Sequence, residues 1–180
     1  GVETGDRGLI KVNEFFQTSV DHIYAVGDVV GFPALASTSM EQARWAMVHA
    51  FKLGYKRGLV PVLPYGVYSI PEVSMAGATE EELQARGVEY VVGKARYADQ
   101  PRGMIMGEEE GFLKLLFALD DMQLLGVHVI GEQATELVHI GLMALMPESH
   151  AQLFIRACFN YPPLGDLYKY ATYDAMGKRQ

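Results

Sequence analysis

The sequence has little cysteine, no long apolar run and no clustered positive charge. Cys158 is the only cysteine among 180 residues, so no internal disulphide can form, and a reducing compartment such as the cytoplasm is expected. No apolar stretch approaches the roughly 20 residues that span a bilayer, so no membrane partner is expected. The formal net charge is -7, and no Lys/Arg run exceeds two residues, which argues against binding to nucleic acid.

The composition that remains is typical of a packed domain. Hydrophobic residues make up 49% and charged residues 21% of the chain, so we expect a folded core and no extended disorder. Cys158 lies in an apolar run, which predicts a buried structural thiol. The first residue is Gly1, and residues 1–5 have the composition of a loop, so we expect that a longer protein continues before them.

The amino-terminal third has the pattern of an α/β unit. The mostly apolar run His22–Val26 is closed by Gly27-Asp28, which predicts a strand buried on both faces. A helix is predicted from about Met40 to Leu53, with Ser37 or Ser39 as its amino-terminal cap.

The pattern changes beyond a proline-containing linker at residues 58–64. Apolar segments separated by turn residues predict strands at 67–70, 73–76, 88–97, 103–106, 112–119 and 124–130. Helices are predicted at 79–86 with Thr79 as the amino-terminal cap, at 135–146, from about 150, and at 164–176. The sequence therefore predicts an α+β fold, in which the tail of an α/β unit (1–63) precedes an antiparallel sheet with helices (64–180).

The first candidate site follows the predicted strand at residues 22–26. A carboxylate such as Asp28, placed just past a buried strand, faces the edge where open α/β sheets bind ligands. It can accept hydrogen bonds from the hydroxyls of a sugar alcohol. A helix start near Leu35-Ala36-Ser37 offers unpaired N–H groups and a positive dipole end, which would stabilise an anionic ring. Gly-Asp by itself is a common turn, and these residues alone favour a structural role.

The whole segment from Ile23 to Ser37 resembles the second flavin-contacting motif of the pyridine nucleotide-disulphide oxidoreductase family. Residues 8–13 and 17–19 resemble the lead-in to that motif. The resemblance implies FAD as cofactor and assigns residues 1–63 to the carboxy-terminal tail of an FAD-binding domain. The implied cofactor-binding residues are Gly27, Asp28, Leu35, Ala36 and Ser37.

The remainder of the chain resembles the interface domain of the same family. Tyr68–Ser74 is similar to the start of that domain, which implies that residues 64–180 form a dimerisation domain and that the partner is a second copy. The family carries its dinucleotide fingerprints earlier in the chain, and neither occurs here. The resemblance therefore implies that NAD(P) binds mostly outside these 180 residues, and that this chain alone is inactive.

The second candidate site is the segment Phe159–Asp166. Members of the family that reduce disulphides carry a His-Pro pair there, with a glutamate after it. Tyr161 stands at the histidine position and Asp166 at the glutamate position, so these are the implied catalytic residues. A phenol has an ordinary pKa of about 10 and is a poor base near neutral pH, which weakens a role in thiol-disulphide exchange. We also predict a cis Tyr161-Pro162 bond.

Transfer of hydride from NADPH through flavin to NAD needs no such base. The Phe159–Pro162 and Glu136–Gly141 segments both resemble the transhydrogenase branch of the family, so an FAD-dependent enzyme of that kind is predicted. Pro163 and Gly165 depart from the family pattern. A dihydrolipoamide dehydrogenase-like enzyme, another disulphide or quinone reductase, and a non-catalytic dimerisation module for the isolated chain remain alternatives.

No metal site is predicted. Glu136 and His139 have the spacing of a helical carboxylate-histidine ligand pair, but such sites need a second copy on another helix. The remaining histidines lie far apart without ligand spacing.

Overall fold

A computed structural model describes residues Gly1–Arg179. The chain divides into two compact units, the first comprising Gly1–Pro61 and the second beginning at Val62. The division lies two residues from the boundary that the sequence predicts between residues 63 and 64.

The first unit contains one long helix and several turns. Helix α1 spans Ala36–Ala50, and 3₁₀ turns occupy Asp6–Gly8 and Gly27–Val30. The strand predicted at residues 22–26 is wrong, because only Tyr24 pairs there, in an isolated antiparallel bridge with Gln17. A strand needs a run of paired residues on a neighbouring strand, and the described part of this unit supplies residues 22–26 with only that one bridge.

Helix α1 begins earlier than the sequence predicts. Its N-cap is Leu35, in an extended conformation and without a side-chain capping bond, so the predicted caps Ser37 and Ser39 are wrong. The Ser39 N–H donates to the Leu35 carbonyl at 2.9 Å, which places both serines inside the first turns of the helix. Leu35, Ala36 and Ser37 therefore stand at the helix start.

The second unit is built on a five-stranded antiparallel sheet of order β1-β2-β5-β4-β3. The strands are β1 Tyr65–Val67, β2 Val73–Gly77, β3 Tyr90–Arg96, β4 Phe112–Ala118 and β5 Leu124–Ile130. Every pairing is antiparallel, so the predicted antiparallel sheet with helices is confirmed.

Five helices accompany the sheet in the part of the chain that the structure describes. They are α2 Glu80–Ala85, α3 Pro101–Met106, α4 Ala134–Leu145, α5 Gln152–Arg156 and α6 Leu167–Lys178. Thr79 caps α2 as predicted: its side chain accepts from the Glu82 N–H while the Glu82 carboxylate accepts from the Thr79 N–H.

The strand predicted at residues 103–106 is wrong, because these residues end helix α3. Pro101 occupies its first turn, where a missing N–H removes no helical bond, and Gly107 ends the helix in the left-handed conformation (φ 72°). The glutamates at 108–110 therefore link α3 to β4 and do not form the tip of a hairpin.

Helices α4 and α6 cover one face of the sheet and bury its core. Gly93 of β3 lies so close to α6 that a Cβ there would be 1.9 Å from the Ala171 carbonyl oxygen. On the other face, α2 is tied to the sheet by an ion pair between Glu80 and Lys114, whose charged atoms are 2.8 Å apart. The segment 157–163 joins α5 to the 3₁₀ turn Leu164–Asp166, which leads directly into α6.

Candidate functional site

Gly27 brings a tight turn against helix α1. Its φ is 77°, a conformation that favours glycine, and its N–H donates to the buried Gln42 Oε1 at 2.7 Å. A Cβ at this position would lie 2.6 Å from Ser39 Oγ. Only glycine therefore allows the 3₁₀ turn Gly27–Val30 to approach the first two turns of the helix so closely.

Asp28 stands on this turn with its side chain exposed to solvent. Its backbone carbonyl accepts a hydrogen bond from the Gly31 N–H at 3.1 Å, which fixes the turn. Within Gly1–Arg179 its carboxylate forms no hydrogen bond or ion pair. Both carboxylate oxygens can therefore accept hydrogen bonds from a ligand.

The start of α1 presents unpaired donors. The Ser39 N–H makes the first hydrogen bond of the helix, so the N–H groups of Ala36, Ser37 and Thr38 precede the helical ladder. Over 15 residues the aligned peptide dipoles place partial positive charge at this end. The Thr38 hydroxyl is buried, and it has no hydrogen-bond partner in the described part of the chain.

These groups suit an FAD molecule. A polyol chain would supply hydroxyl donors for the unpaired Asp28 carboxylate, and the helix start at Ala36 would supply donors for the carbonyl and nitrogen acceptors of a flavin ring. The unpartnered Thr38 hydroxyl adds a group that no sequence pattern predicts. The assignment of Gly27, Asp28 and Leu35–Ser37 to the cofactor stays a prediction.

The second predicted site lies in the other unit, on the connection between α5 and α6. The Tyr161-Pro162 bond is cis, as predicted. The Tyr161 side chain is 79% exposed, and its hydroxyl bonds to no other group within residues 1–179. The phenol is therefore presented outward from this connection, in position to contact another molecule.

Asp166 ends the 3₁₀ turn Leu164–Asp166 just before α6 and is half-buried. Among the described residues its carboxylate makes no hydrogen bond to Tyr161 or to any other group. The turn is held instead by Leu164 and Leu167, both of which lie in the hydrophobic core. The predicted catalytic roles of Tyr161 and Asp166 stay predictions.

Cys158 lies three residues before Tyr161 and is exposed. The prediction of a buried thiol is wrong, because the apolar run that suggested burial is interrupted after Arg156, where helix α5 ends and the chain becomes extended. The core takes Phe154 from this run, and Phe159 packs against the core.

Charged groups elsewhere in the second unit serve the fold. Hydrogen bonds from the Thr135 hydroxyl and N–H hold the pKa of Glu72 below its ordinary value. Burial lowers the pKa of His128, with the nearby Lys114 charge acting in the same direction.

Within Gly1–Arg179 no three or more His, Cys, Asp or Glu side chains form a group that could hold a metal ion. No described helix is long and apolar enough to cross a membrane.

Two family sequence profiles match this chain. The profile for the pyridine nucleotide-disulphide oxidoreductase dimerisation domain matches residues 63–172. The profile described as pyridine nucleotide-disulphide oxidoreductase matches residues 1–44. The two matches fall one in each unit.

Similar curated proteins share one name. A soluble pyridine nucleotide transhydrogenase from Mycobacterium bovis (strain BCG / Pasteur 1173P2) is 51% identical over 178 residues, which is 99% of this chain. The protein of the same name from Serratia proteamaculans (strain 568) is 42% identical over 183 residues, again with 99% of this chain aligned. The chain spans 38% and 39% of the length of these two relatives.

Solved structures share the fold. LpdA from Mycobacterium tuberculosis superposes with a TM-score of 0.87 at 23% identity, covering 96% of this chain and 38% of that one. The HOCl-induced flavoprotein disulphide reductase RclA from Escherichia coli gives a TM-score of 0.84 at 23% identity, covering 95% of this chain and 40% of that one. At this identity the likeness shows the fold alone.

Proposed function

Because the chain belongs to the pyridine nucleotide-disulphide oxidoreductase family, we propose that it is the flavin-contacting tail and dimerisation domain of an FAD-dependent enzyme that transfers hydride between NADPH and NAD. The name shared by the curated relatives, at 51% and 42% identity over nearly the whole chain, supports this choice of reaction. In this proposal residues 1–63 complete an FAD-binding domain and residues 64–180 pair with a second copy.

The role of Asp28 is to hold the cofactor by its polyol chain. Its exposed carboxylate has no partner among the described residues and can accept two or more hydroxyl hydrogen bonds. The turn that carries Asp28 is fixed by Gly27 against α1, so the backbone that carries the carboxylate does not have to be ordered when a ligand binds.

The start of α1 stabilises negative charge on the ring. Bound FAD would supply the hydride-transfer chemistry, and its reduced ring would carry negative charge at neutral pH. The N–H groups of Ala36, Ser37 and Thr38 provide fixed donors at the positive end of a 15-residue helix. These donors are already oriented, so they stabilise the charge without a reorganisation of the backbone.

The single observation that carries the choice of reaction is the tyrosine at position 161. A disulphide reductase needs a group there that exchanges protons with a thiol near neutral pH, as the imidazole of a histidine does, and this chain has no histidine at that position. Hydride transfer between nicotinamides requires no proton from this position. In the proposal Tyr161, exposed on the α5–α6 connection, approaches the flavin of the partner subunit and shields it from water.

The test is a kinetic comparison on the longer flavoprotein that contains this chain. NADPH is offered together with an NAD analogue whose reduced form absorbs at a distinct wavelength, and separately with lipoamide or glutathione disulphide. The proposal predicts rapid reduction of the analogue and negligible reduction of the disulphides. Efficient turnover of either disulphide would contradict the proposed reaction.

A further inference from the structure

The connection that carries Tyr161 is attached to helix α6 by a single charged side chain. The Lys169 Nζ donates a hydrogen bond to the backbone carbonyl of Ala157, and the two atoms are 2.7 Å apart. Ala157 is the C-cap of α5 and the residue at which the chain turns from helical to extended. The Lys169 ammonium group therefore binds the first residue of the connection 157–163, where the chain leaves helix α5.

The position of the lysine is favourable for both partners. The last carbonyl groups of a helix lack intrahelical donors, and the Ala157 carbonyl stands at the end of α5. Lys169 is half-buried, and it forms no ion pair with a carboxylate anywhere in Gly1–Arg179. Its hydrogen bond to Ala157 is therefore its principal polar interaction within the described part of the chain.

Phe159 gives the same lysine a second contact on the connection. The Lys169 Nζ lies 5.9 Å from the centroid of the Phe159 ring, within the range of a cation–π interaction. Phe159 also packs against the core, close to Gly165. Lys169 thus contacts the connection at Ala157 and at Phe159. Phe159 is only two residues before Tyr161 in the sequence.

We propose that Lys169 is a positioning residue, which holds the connection 157–163 in place and so determines where the Tyr161 phenol is presented. What Tyr161 approaches rests on the function proposed above, but the attachment of the connection does not. Lys169 acts through the Ala157 carbonyl and the Phe159 ring, and it contacts no reacting group itself.

Three variants of the 180-residue chain test this role. Lys169→Met keeps the aliphatic stem but removes the charge and the donor, whereas Lys169→Arg keeps both. Lys178→Met is the matched control, because Lys178 lies on the same helix, is exposed, and bonds to Asp174 and the Val92 carbonyl, away from the connection.

The lone cysteine makes a site-specific measurement possible. Cys158 is exposed and is the only cysteine in the sequence, so a nitroxide spin label attaches within the connection and nowhere else. Its electron paramagnetic resonance spectrum reports the mobility of residue 158. Chymotrypsin cleavage after Phe159, followed by mass spectrometry on unlabelled protein, measures how often the connection opens.

Lys169→Met is expected to narrow the spectral lines and to accelerate cleavage about tenfold, the ratio that corresponds to losing one hydrogen bond to a charged group. Lys169→Arg and Lys178→Met are expected to match the unsubstituted chain. Unchanged mobility and cleavage in Lys169→Met, or equal loosening in Lys178→Met, would overturn the proposal. Neither readout uses flavin or nicotinamide, so failure here is distinct from failure of the hydride-transfer assay.

Discussion

The Tyr168 hydroxyl, on helix α6, is hydrogen-bonded to the backbone N–H of Gly141 in helix α4. It accepts a hydrogen bond from the Gly141 N–H at 3.1 Å and donates one to the Leu137 carbonyl at 2.7 Å. Leu137 and Gly141 are four residues apart on α4, so a side chain from α6 bridges one step of the α4 hydrogen-bond ladder. Burial raises the pKa of the Tyr168 phenol, which keeps the hydroxyl protonated as a donor.

Replacing Tyr168 by phenylalanine is therefore expected to destabilise the second unit. The change removes the donor to the Leu137 carbonyl in a fully buried setting, and such a loss costs about 1–3 kcal/mol. Urea unfolding, with the midpoint and slope compared between variants, measures the loss. Tyr173→Phe is the matched control, because Tyr173 is also on α6 but about half exposed. The unfolding free energy of this variant should stay within about 0.5 kcal/mol of the value for the unsubstituted chain. Equal effects of the two substitutions would refute the buried bridge.

A methyl group at Gly93 is expected to separate α6 from the sheet. Its carbon would lie 1.9 Å from the Ala171 carbonyl oxygen and 2.8 Å from the Ala175 side chain, so the helix has to move. We expect Gly93→Ala to lower the free energy of unfolding by about 1–3 kcal/mol or more, as in other overpacked cores. Gly177→Ala, also at this end of the fold but in open space, should be neutral or stabilising by up to about 1 kcal/mol. Thermal unfolding of the two variants side by side separates the effects.

Glu72 is expected to make stability depend on acid pH. The Thr135 hydroxyl and N–H stabilise its charged form, so its pKa in the folded state lies below the ordinary 4.5. Near and below pH 4.5 the unfolded chain binds more protons at this residue than the folded chain does. The contribution of Glu72 is thus fully present above that pH and is lost as the pH falls through the lowered pKa.

The variant Glu72→Gln removes the titrating group while keeping an acceptor for Thr135. The difference in unfolding free energy between the unsubstituted chain and Glu72→Gln should therefore be constant above about pH 5 and should shrink as the pH is lowered further. Urea titrations at a series of pH values provide the curve. A difference that grows on acidification would show that the assigned direction of the pKa shift is wrong.

Asp28 is expected to matter for flavin and not for folding. Its exposed side chain has no partner among the described residues, so Asp28→Ala should change the unfolding free energy of the chain by less than about 0.5 kcal/mol. In the longer flavoprotein the same change should reduce bound FAD, measured by absorbance per protein after desalting, about tenfold or more, as loss of hydrogen bonds to a charged acceptor implies. Asp21→Ala, at another exposed aspartate, is the control and should retain full flavin.

The sequence predicted much of the second unit because its signals are local. Strands β4 and β5, helix α4 and the Thr79 cap follow from apolar runs, turn residues and a capping pattern that involve neighbouring residues. The segment 103–106 was predicted wrongly for the opposite reason: its apolar residues fit a strand, while Pro101 and Gly107 on either side favour a helix. Flanking residues decided the outcome there.

Some residues of the candidate sites could likewise be predicted from the sequence, and others could not. Asp28 and Tyr161 could be predicted from the motifs in which they stand. Thr38 and Lys169 could not, because burial of the Thr38 hydroxyl and the bond from Lys169 to Ala157 exist only after the chain has folded. Residues whose roles depend on contacts between separate elements leave no pattern in the sequence.

In the proposed complex the Asp28 carboxylate holds the polyol chain of FAD. A crystal structure of the longer flavoprotein with its cofactor bound tests this most directly, through the distances from the two Asp28 carboxylate oxygens to the polyol hydroxyls. We predict at least one distance between about 2.5 and 3.0 Å, the range of an O–H···O hydrogen bond. A carboxylate directed away from the cofactor, with every such distance beyond about 3.5 Å, would contradict the account.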